Sequence, residues 1–599
     1  LKSLTLLLHS VVHDMGTLCC VSTSFDIKTI DARVKHEGIS FLTITLPDFA
    51  KDFERSLEQG LVDHTLFRSF AFQRGLPRFL GGFLDLVFDR GTGVLVHDPS
   101  VSAIFAIRQI SLMFGKINLP CRDDRVEAAL EGYMNCELNV LENSSSFLNL
   151  HIEDFQRIGR VLFAPLLSNI SNRIYHGEIR PKHGSGATAD RLSGNRKYQV
   201  REWSDRLEGV FPFMENLFSS YSFALANESC VDVREPWNER PAKVITVPKT
   251  LKTPRIIAME PSYLQYMQQG ILEIITEEVN RDNILRPLIS TLDQAPNQRM
   301  ALEGSLMGNL ATLDLSEASD RVSNLHVRAL LSDFSLLDEA VQATRSRKAD
   351  VPGRGVIHLV KFASMGSALC FPFEGMVFLT CVFMGIEKSQ GRPLTKRDVK
   401  SLIGKVRVYG DDIIVPTEYT RSVVETLESF GFVVNQRKSF WNGKFRESCG
   451  KEYYNGHDVS ITRVRSMLPT LRRHVEELES TVSLRNHLYK AGLWYAVRFL
   501  DQHIEKLIPF PAALETAPGL GKFSYLGYET HGLDSDLQRP FVKGAVISRR
   551  IPSDKLDGEG ALLKFFLKRG EQPHFDKKHL ERAGRPRSAS IKIGRFHSY

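Results

Sequence analysis

The 599-residue chain has no C-x-x-C pair among its eight cysteines (Cys19, Cys20, Cys121, Cys136, Cys230, Cys370, Cys381 and Cys449) and no histidine spacing suited to zinc. Zinc-ribbon and disulfide-scaffold classes are therefore excluded, and the thiols read as free in a reducing cytoplasm. No G-x-x-x-x-G-K-[ST] loop occurs, so phosphates are not gripped by a P-loop. Repeat periods and low-complexity blocks are absent, which excludes a solenoid. The opening "LKSLTLLLHSVVHDMG" lacks the basic n-region and small-residue cleavage site of a secretory signal. A chain that begins with Leu reads as a fragment or as a literally translated alternative start codon. Long apolar runs are scarce. The one that stands out, residues 366 to 386, contains Pro372 and Glu374 and has no second spanning partner, so it reads as a buried core helix.

An excess of one charge is also missing from most of the molecule. The net charge is +7, and residues 564 to 599 hold ten Lys/Arg against three Asp/Glu, so the other 563 residues are neutral overall. A basic tail of this kind suits nonspecific phosphate binding, and equally a solvated, flexible end. The remaining composition, 42% apolar and 25% charged, is that of a globular protein with several subdomains.

The most informative stretch is "KVRVYGDDIIVP", residues 405 to 416. Its β-branched flanks predict two buried strands, and Gly-Asp predicts a tight hairpin between them. A turn needs one Asp, whereas Asp411 and Asp412 are adjacent; two carboxylates about 4 Å apart repel by roughly 4 kcal/mol at an effective dielectric near 20. A divalent cation between them would remove that cost, and Mg²⁺ is held by one or two carboxylates together with substrate phosphates.

Around the hairpin the pattern predicts an α+β unit with an antiparallel sheet and helices on one face. Residues 242 to 261 read as strand, basic turn, strand. Residues 309 to 331 read as a strand ending near Asp314, then a helix with Ser316 or Ser319 as candidate caps. Residues 345 to 355 read as a basic loop, 420 to 440 as helix then strand, 445 to 456 as two strands around a turn, and 470 to 507 as helical. The first 120 residues read as short apolar runs between loops, and 181 to 198 as an exposed Gly/Ser/basic connection.

Such a sheet can bring Asp314 beside Asp411, making a three-carboxylate platform of the kind that holds two metal ions about 3.5–4 Å apart for phosphoryl transfer. Lys249, Lys252 and Arg255 on one short turn suit a triphosphate, although a solvated basic turn has the same composition. Ser364, Gly366 and Ser367 would let a template strand or ribose approach closely, and tight helix packing would use the same small residues. Lys438, placed on the strand after the hairpin, is a candidate proton donor to pyrophosphate or simply a surface lysine.

Tyr409-Gly410-Asp411-Asp412 between apolar strands resembles motif C of RNA-dependent RNA polymerases. Four further stretches follow in that family's order: "VPKTLKTPRIIAMEP" (motif F), "LDLSEASDRVS" (motif A), "SMGSALCFPFE" (motif B) and "FRESCGKEYY" (motif E). Together with "GFVVNQRKSF" and "ISFLTITLPDFAKDFERSLEQG", they resemble the replicase β subunits of leviviruses, the small positive-strand RNA phages. The resemblance is strongest from about 240 to 460 and weakest in the tail.

The resemblance implies a right-hand polymerase fold: residues 1 to 120 contributing to fingers, 121 to 305 fingers, 306 to 457 palm with a fingers insertion near 340 to 360, and 458 to 599 thumb and tail. It implies an RNA-directed RNA polymerase working in the host bacterial cytoplasm, without a membrane. Two Mg²⁺ ions, with Mn²⁺ as a substitute, would be held by Asp314 and Asp411 as principal ligands, and by Asp412. Lys249, Lys252 and Arg255 would line the nucleotide path, and Asp320, at the D-x5-D spacing of motif A, would contact the ribose 2′-hydroxyl. Motif B here lacks the Thr and Asn that many family members use for that contact, so Ser364 or Ser367 would have to serve. Implied partners are template and product RNA, ribonucleoside triphosphates, host elongation factors Tu and Ts, and a ribosomal RNA-binding protein. The rival readings are a reverse transcriptase, opposed by the Gly of motif C and by the lack of a ribonuclease H segment, and an inactive RNA-binding relic, opposed by the presence of all three acids.

Overall fold

A computed structural model describes residues 1–150, 152–289, 291–568, 581 and 584–599. Part of the basic tail, residues 569–580, 582 and 583, lies outside the described residues. Helices α1 (Lys2–Cys19), α2 (Ser24–Glu37), α3 (Leu46–Gln59) and α4 (Val101–Leu112) open the chain, where runs and loops are expected. The helical period is there in longer windows: Leu4, Leu7, Leu8, Val11, Val12 and Met15 bury one face of α1, and Phe49, Phe53 and Leu57 one face of α3. Two longer helices follow, α5 (Asp123–Leu150) and α6 (Ile152–Tyr175). The Gly/Ser/basic connection is folded onto itself, since buried Lys197 donates to the carbonyls of Gly184 and Gly186.

Strands β1 (Ala242–Val247) and β2 (Arg255–Met259) form the expected hairpin, followed by α7 (Ser262–Arg281) and α8 (Ala295–Met307). Strand β3 (Leu310–Ser316) leads into α9 (Asn324–Leu330). The cap of α9 is Ser323, not Ser316 or Ser319: its hydroxyl accepts from the His326 N–H (3.2 Å) while the Ser323 N–H donates to His326 Nδ1 (3.2 Å). The expected basic loop is also a hairpin, β4 (Lys348–Val351) and β5 (Gly355–His358), in a sheet of order β2-β1-β4-β5. Ala349 and Val351 alternate into the interior there, and Arg345 is buried, donating to the carbonyls of Leu359, Lys361 and Phe362.

Helix α10 (Cys370–Gln390) is the expected core helix, buried along most of its length. Pro372 sits in its first turn, where a missing N–H costs nothing. Strands β6 (Arg407–Tyr409) and β7 (Asp412–Pro416), helix α11 (Thr420–Ser429) and strand β8 (Val433–Val434) follow. The central sheet has order β6-β7-β3-β8 and is antiparallel throughout. Ile413, Val415, Leu313 and Leu315 face the main core with α10 and α11, whereas Ile414 and Leu310 pack on Met300 of α8. Helices therefore cover both faces of this sheet, not one, and only its Asp-bearing end stays open.

Strands β9 (Phe445–Ser448) and β10 (Lys451–Tyr454) precede the helices α12 (Val475–Lys490) and α13 (Trp494–Glu505). The N-terminal helices share a second core with Phe445, Tyr454, Leu484, Leu488, Val497 and Leu500, so the two ends of the chain meet. The chain closes on a ribbon of β11 (Pro540–Arg550) and β12 (Ser588–His597), paired over ten residues, where a flexible end is one of the expectations. All eight cysteines are unpaired.

Candidate active site

The β6–β7 hairpin pairs Tyr409 with Asp412, leaving Gly410-Asp411 as its two-residue loop. Gly410 has φ +59°, the left-handed value required at the first loop position of a type II′ turn. A Cβ there would also lie 2.4 Å from the Phe371 ring of α10, which in turn meets Tyr409 edge-on at 5.3 Å. The turn is thus pinned against the helix that follows motif B.

Next to the hairpin, β3 is in register with β7 so that Asp314 stands directly opposite Asp412, with Asp411 at the tip. The expectation that Asp411 is the residue facing Asp314 is corrected by this register. Strand alternation sends Ile413 and Leu313 to the main core and both acids to the other face, the one shared with Ile414 and Leu310, with Cβ atoms about 5 Å apart.

Each carboxylate has its own setting. Asp314 accepts from Lys438 Nζ (3.0 Å) on Oδ1 and from Asn435 Nδ2 (2.9 Å) on Oδ2, and its carbonyl takes the Asn435 N–H (2.8 Å). Asp412 accepts the Cys449 N–H (3.2 Å). Asp411 is exposed at the tip, yet crowding by the protein behind it raises its carboxyl above the ordinary range, and Asp314 raises it further. Asp412 is pushed up to about 6, first by desolvation and then by Asp411 and Asp314. Burial pulls the Lys438 ammonium down, but Asp314 and Glu447 outweigh it and hold the proton firmly.

Lys438 lies in a turn, not on a strand: its N–H donates to the Asn435 carbonyl (2.9 Å). That turn is gripped from afar. Buried Glu58 of α3 accepts the N–H groups of Trp441 (2.8 Å), Asn442 (2.7 Å) and Gly443 (3.1 Å), and Arg55 donates to the Gln436 carbonyl (3.3 Å).

The basic turn divides. Lys249 belongs to the site: withdrawal from water, Arg255 and Lys438 lower its ammonium, while Asp411 and Asp314 pull it back up. Arg255 begins β2, exposed, on the same side. Lys252 is turned away into an ion pair with Asp48 (3.2 Å).

The candidates for ribose contact hydrogen-bond within the protein. Asp320 accepts from Lys361 Nζ (3.0 Å); this lysine is wholly buried, also pairs with Glu137 (3.2 Å) and lies 3.6 Å over the Tyr133 ring. Ser364 meets the Tyr133 hydroxyl (2.9 Å), and Ser367 donates to Gln268 (3.2 Å). Gly366 has φ +128°, and a Cβ there would fall 1.9 Å from the Ala258 carbonyl oxygen. The close approach that Gly366 permits is to the backbone of β2, whose Ala258 N–H donates to Met365 (2.8 Å).

Sequence reasoning missed four contributors. Asn435 has a local signal, an Asn opening an N-Q-R-K turn next to the candidate lysine. Glu58 and Cys449 have none. Glu374 of α10 is a buried carboxyl raised to about 8 by desolvation and then by Asp411 and Asp320.

The carboxylates are hard oxygen donors whose mutual repulsion Lys438 and Lys249 relieve only in part, and this fits Mg²⁺. Among the described residues, however, no three such side chains are already gathered around one point. Lys438 and Asn435 hold Asp314 where it stands.

Residues 221–494, which contain the three acids together with Lys249, Arg255, Asn435 and Lys438, match the family model described as RNA replicase, beta-chain. The chain is 30% identical over 338 residues to the RNA-directed RNA polymerase subunit beta of Enterobacteria phage SP, covering 55% of this chain and 52% of that protein. Over residues 221–494 this chain is similar to the RNA-phage replicase β chains.

Its likeness to the β subunit of Escherichia virus Qbeta is 33% over 347 residues (55% of this chain, 52% of that protein), and to the β chain of Escherichia phage MS2 37% over 230 residues (38% of each). The matches to SP and Qbeta thus span about half the length of those replicase β chains. Among solved structures, the RNA-dependent RNA polymerase of bacteriophage phi12 aligns with a TM-score of 0.31 at 13% identity, over 42% of this chain and 44% of that one, too loosely to bear on the site.

Proposed function

We propose that the chain is an RNA-directed RNA polymerase that copies a positive-strand phage genome from ribonucleoside triphosphates. The observation that carries this reading is the register that sets Asp412 against Asp314 beneath the Asp411 tip, within the segment matched to replicase β chains. In the right-hand reading the central sheet is the palm, β1, β2, β4 and β5 belong to the fingers, and α12 and α13 to the thumb.

Asp314, Asp411 and Asp412 would hold two Mg²⁺ ions, or Mn²⁺ in their place, which when bound supply charge neutralisation and activation of the attacking hydroxyl. The protein's own groups do the rest. Lys249 and Arg255 bind and orient the triphosphate, Arg by a fork of donors and Lys as a point charge. Lys438 carries its proton beside Asp314, where the leaving pyrophosphate would take it, and Asn435 keeps the aspartate aimed. Asp320 reaches a 2′-hydroxyl only through the Lys361 cluster, so ribose selection is read as positional. Host elongation factors Tu and Ts, a ribosomal RNA-binding protein and the host bacterial cytoplasm belong to the same reading.

The test is to incubate the purified chain with Mg²⁺, ribonucleotides and a 3′-CCA-ended RNA, with and without the host elongation factors. Template-dependent RNA is expected, ribonucleotides being preferred over deoxynucleotides. Asp411→Asn should abolish synthesis, by at least about 10³-fold, while RNA binding and the melting temperature hold. Retained synthesis in this variant sinks the metal assignment, and absence of product under every condition sinks the function.

A further inference from the structure

The β11–β12 ribbon is two-sided. On one face Ala545, Ile547, Ile591 and Ile593 pack against Leu478, Val482, Ile504 and Ile508, and Arg549 is tied to Glu479 at 2.6 Å. The register puts Gly544 opposite Gly594, Ser548 opposite Ser590, and Arg550 opposite Ser588 on the other face, where Lys592 faces Val546. Toward the far end this second face carries serine, lysine and arginine, and its one apolar side chain there, Val546, is partly buried against the cluster of Ala513, Val542 and Phe596. Arg550, Ser588, Ser590 and Lys592 are exposed, and a Cβ on Gly594 would meet nothing within 4 Å.

Residues 540–550 and 584–599 contain seven Lys/Arg and no Asp or Glu. Arg587, exposed at the same end of the ribbon, adds a further cation beside Arg550, to whose carbonyl its N–H donates (2.8 Å). Among the described residues, Arg550, Arg587 and Lys592 meet no carboxylate, and the hydroxyls of Ser548, Ser588 and Ser590 have no partner. Cations gathered without counter-charge on a solvated surface favour a polyanion. Serine hydroxyls between them are the small donors that accompany Arg and Lys at phosphates. Arg550 and Lys592 stand about 13 Å apart along the ribbon, so a strand laid along it meets a cation at either end and hydroxyls between.

The chemistry separates partner classes. Protein interfaces are organised around aromatic or aliphatic anchors, and a lipid surface needs apolar side chains to insert. This face offers neither: none of the exposed large apolar residues falls within 540–550 or 588–597. With no aromatic to stack a base, it reads backbone and not sequence.

We infer that the outer face of the β11–β12 ribbon docks the sugar–phosphate backbone of RNA, independently of sequence and apart from the catalytic acids. The choice of RNA as the polyanion rests on the polymerase reading; the charge argument does not.

The test uses the full chain and the triple variant Arg550→Gln/Arg587→Gln/Lys592→Gln, with binding of 20-nucleotide oligo(U) and oligo(A) measured over a salt series. Three lost phosphate contacts, at about 0.7 each for a single strand, should flatten the slope of log K against log salt by about 2 and weaken binding about 100-fold at 0.1 M. Both oligomers should respond alike, and Arg550→Lys/Arg587→Lys should keep the slope. Nucleotide addition at saturating RNA should be unchanged in the triple variant. An unaltered slope overturns the inference, as does a loss confined to one oligomer. Loss of polyglutamate binding with RNA binding intact overturns it in favour of an acidic protein. If the unmodified chain adds no nucleotide yet the slope still flattens, the polymerase reading fails and the ribbon stands.

Discussion

Two acid clusters, one holding Asp320 and the other Asp314 six positions before it, are treated in opposite ways. Asp320 and Glu137 close on the wholly buried Lys361, at 3.0 and 3.2 Å, under the ring of Tyr133, and burial's pull on that ammonium is more than offset by the two acids and the phenol. Among the described residues Asp411 and Asp412 close no ion pair of that kind, and Lys438 and Lys249 only partly offset the crowding at Asp411. Desolvation first, and then Asp411 and Asp314, push the Asp412 carboxyl up to about 6. Where the fold supplies its own counter-charge, a cluster is architecture; where it withholds one, the deficit is available to something that arrives later.

That contrast can be broken from either side. The largest effect on stability should come from Lys361→Met. It strands two carboxylates in the interior, and urea denaturation should show a loss of about 3–5 kcal/mol. Asp412→Asn should do the opposite. In the folded, metal-free chain Asp412 keeps its proton up to about 6, against an ordinary value of 3.8, so the fold binds more protons than the unfolded chain between those values. Stability therefore falls as pH rises from about 4 to about 6. The variant lacks that slope, and in EDTA it should gain about 2 kcal/mol over the parent at pH 7.5 and nothing at pH 4. A smaller effect sharpens the role of the surroundings. Glu58→Ala leaves three N–H groups of the 441–443 segment without their acceptor, costing about 2 kcal/mol, and kcat for nucleotide addition should fall while RNA affinity holds, because Lys438 loses its footing.

What the sequence disclosed follows the range of the interaction. The hairpin was legible because β-branched flanks, a Gly-Asp turn and a surplus acid are all local. So were the β1–β2 hairpin, the core helix α10 and the pair β9–β10. The β4–β5 hairpin was hidden because Arg345, Arg347, Lys348 and Arg354 make the stretch look like a basic loop, although two alternate side chains, Ala349 and Val351, are what the core uses. Lys252 and Lys249 look alike in sequence, and only Asp48, some two hundred positions earlier, separates them. The partners of Ser364 and Ser367, Tyr133 and Gln268, likewise come from distant helices, Asp320 is met by Lys361 from outside its own motif, and no spacing rule within one motif announces them.

The grip of Glu58 on residues 441–443 also sets a schedule. About 383 positions separate the carboxylate from the N–H of Trp441. At a synthesis rate of about 5–20 residues per second, helix α3 leaves the ribosome roughly 20–80 s before the segment it will hold. Only in the last third of that interval does the nascent chain have Asp314, and then it has neither the lysine that steadies it nor the loop that places the lysine. A chain terminated before residue 438 is thus born with Asp314 lacking its lysine, and one terminated before residue 411 never assembles the three-acid end of the sheet.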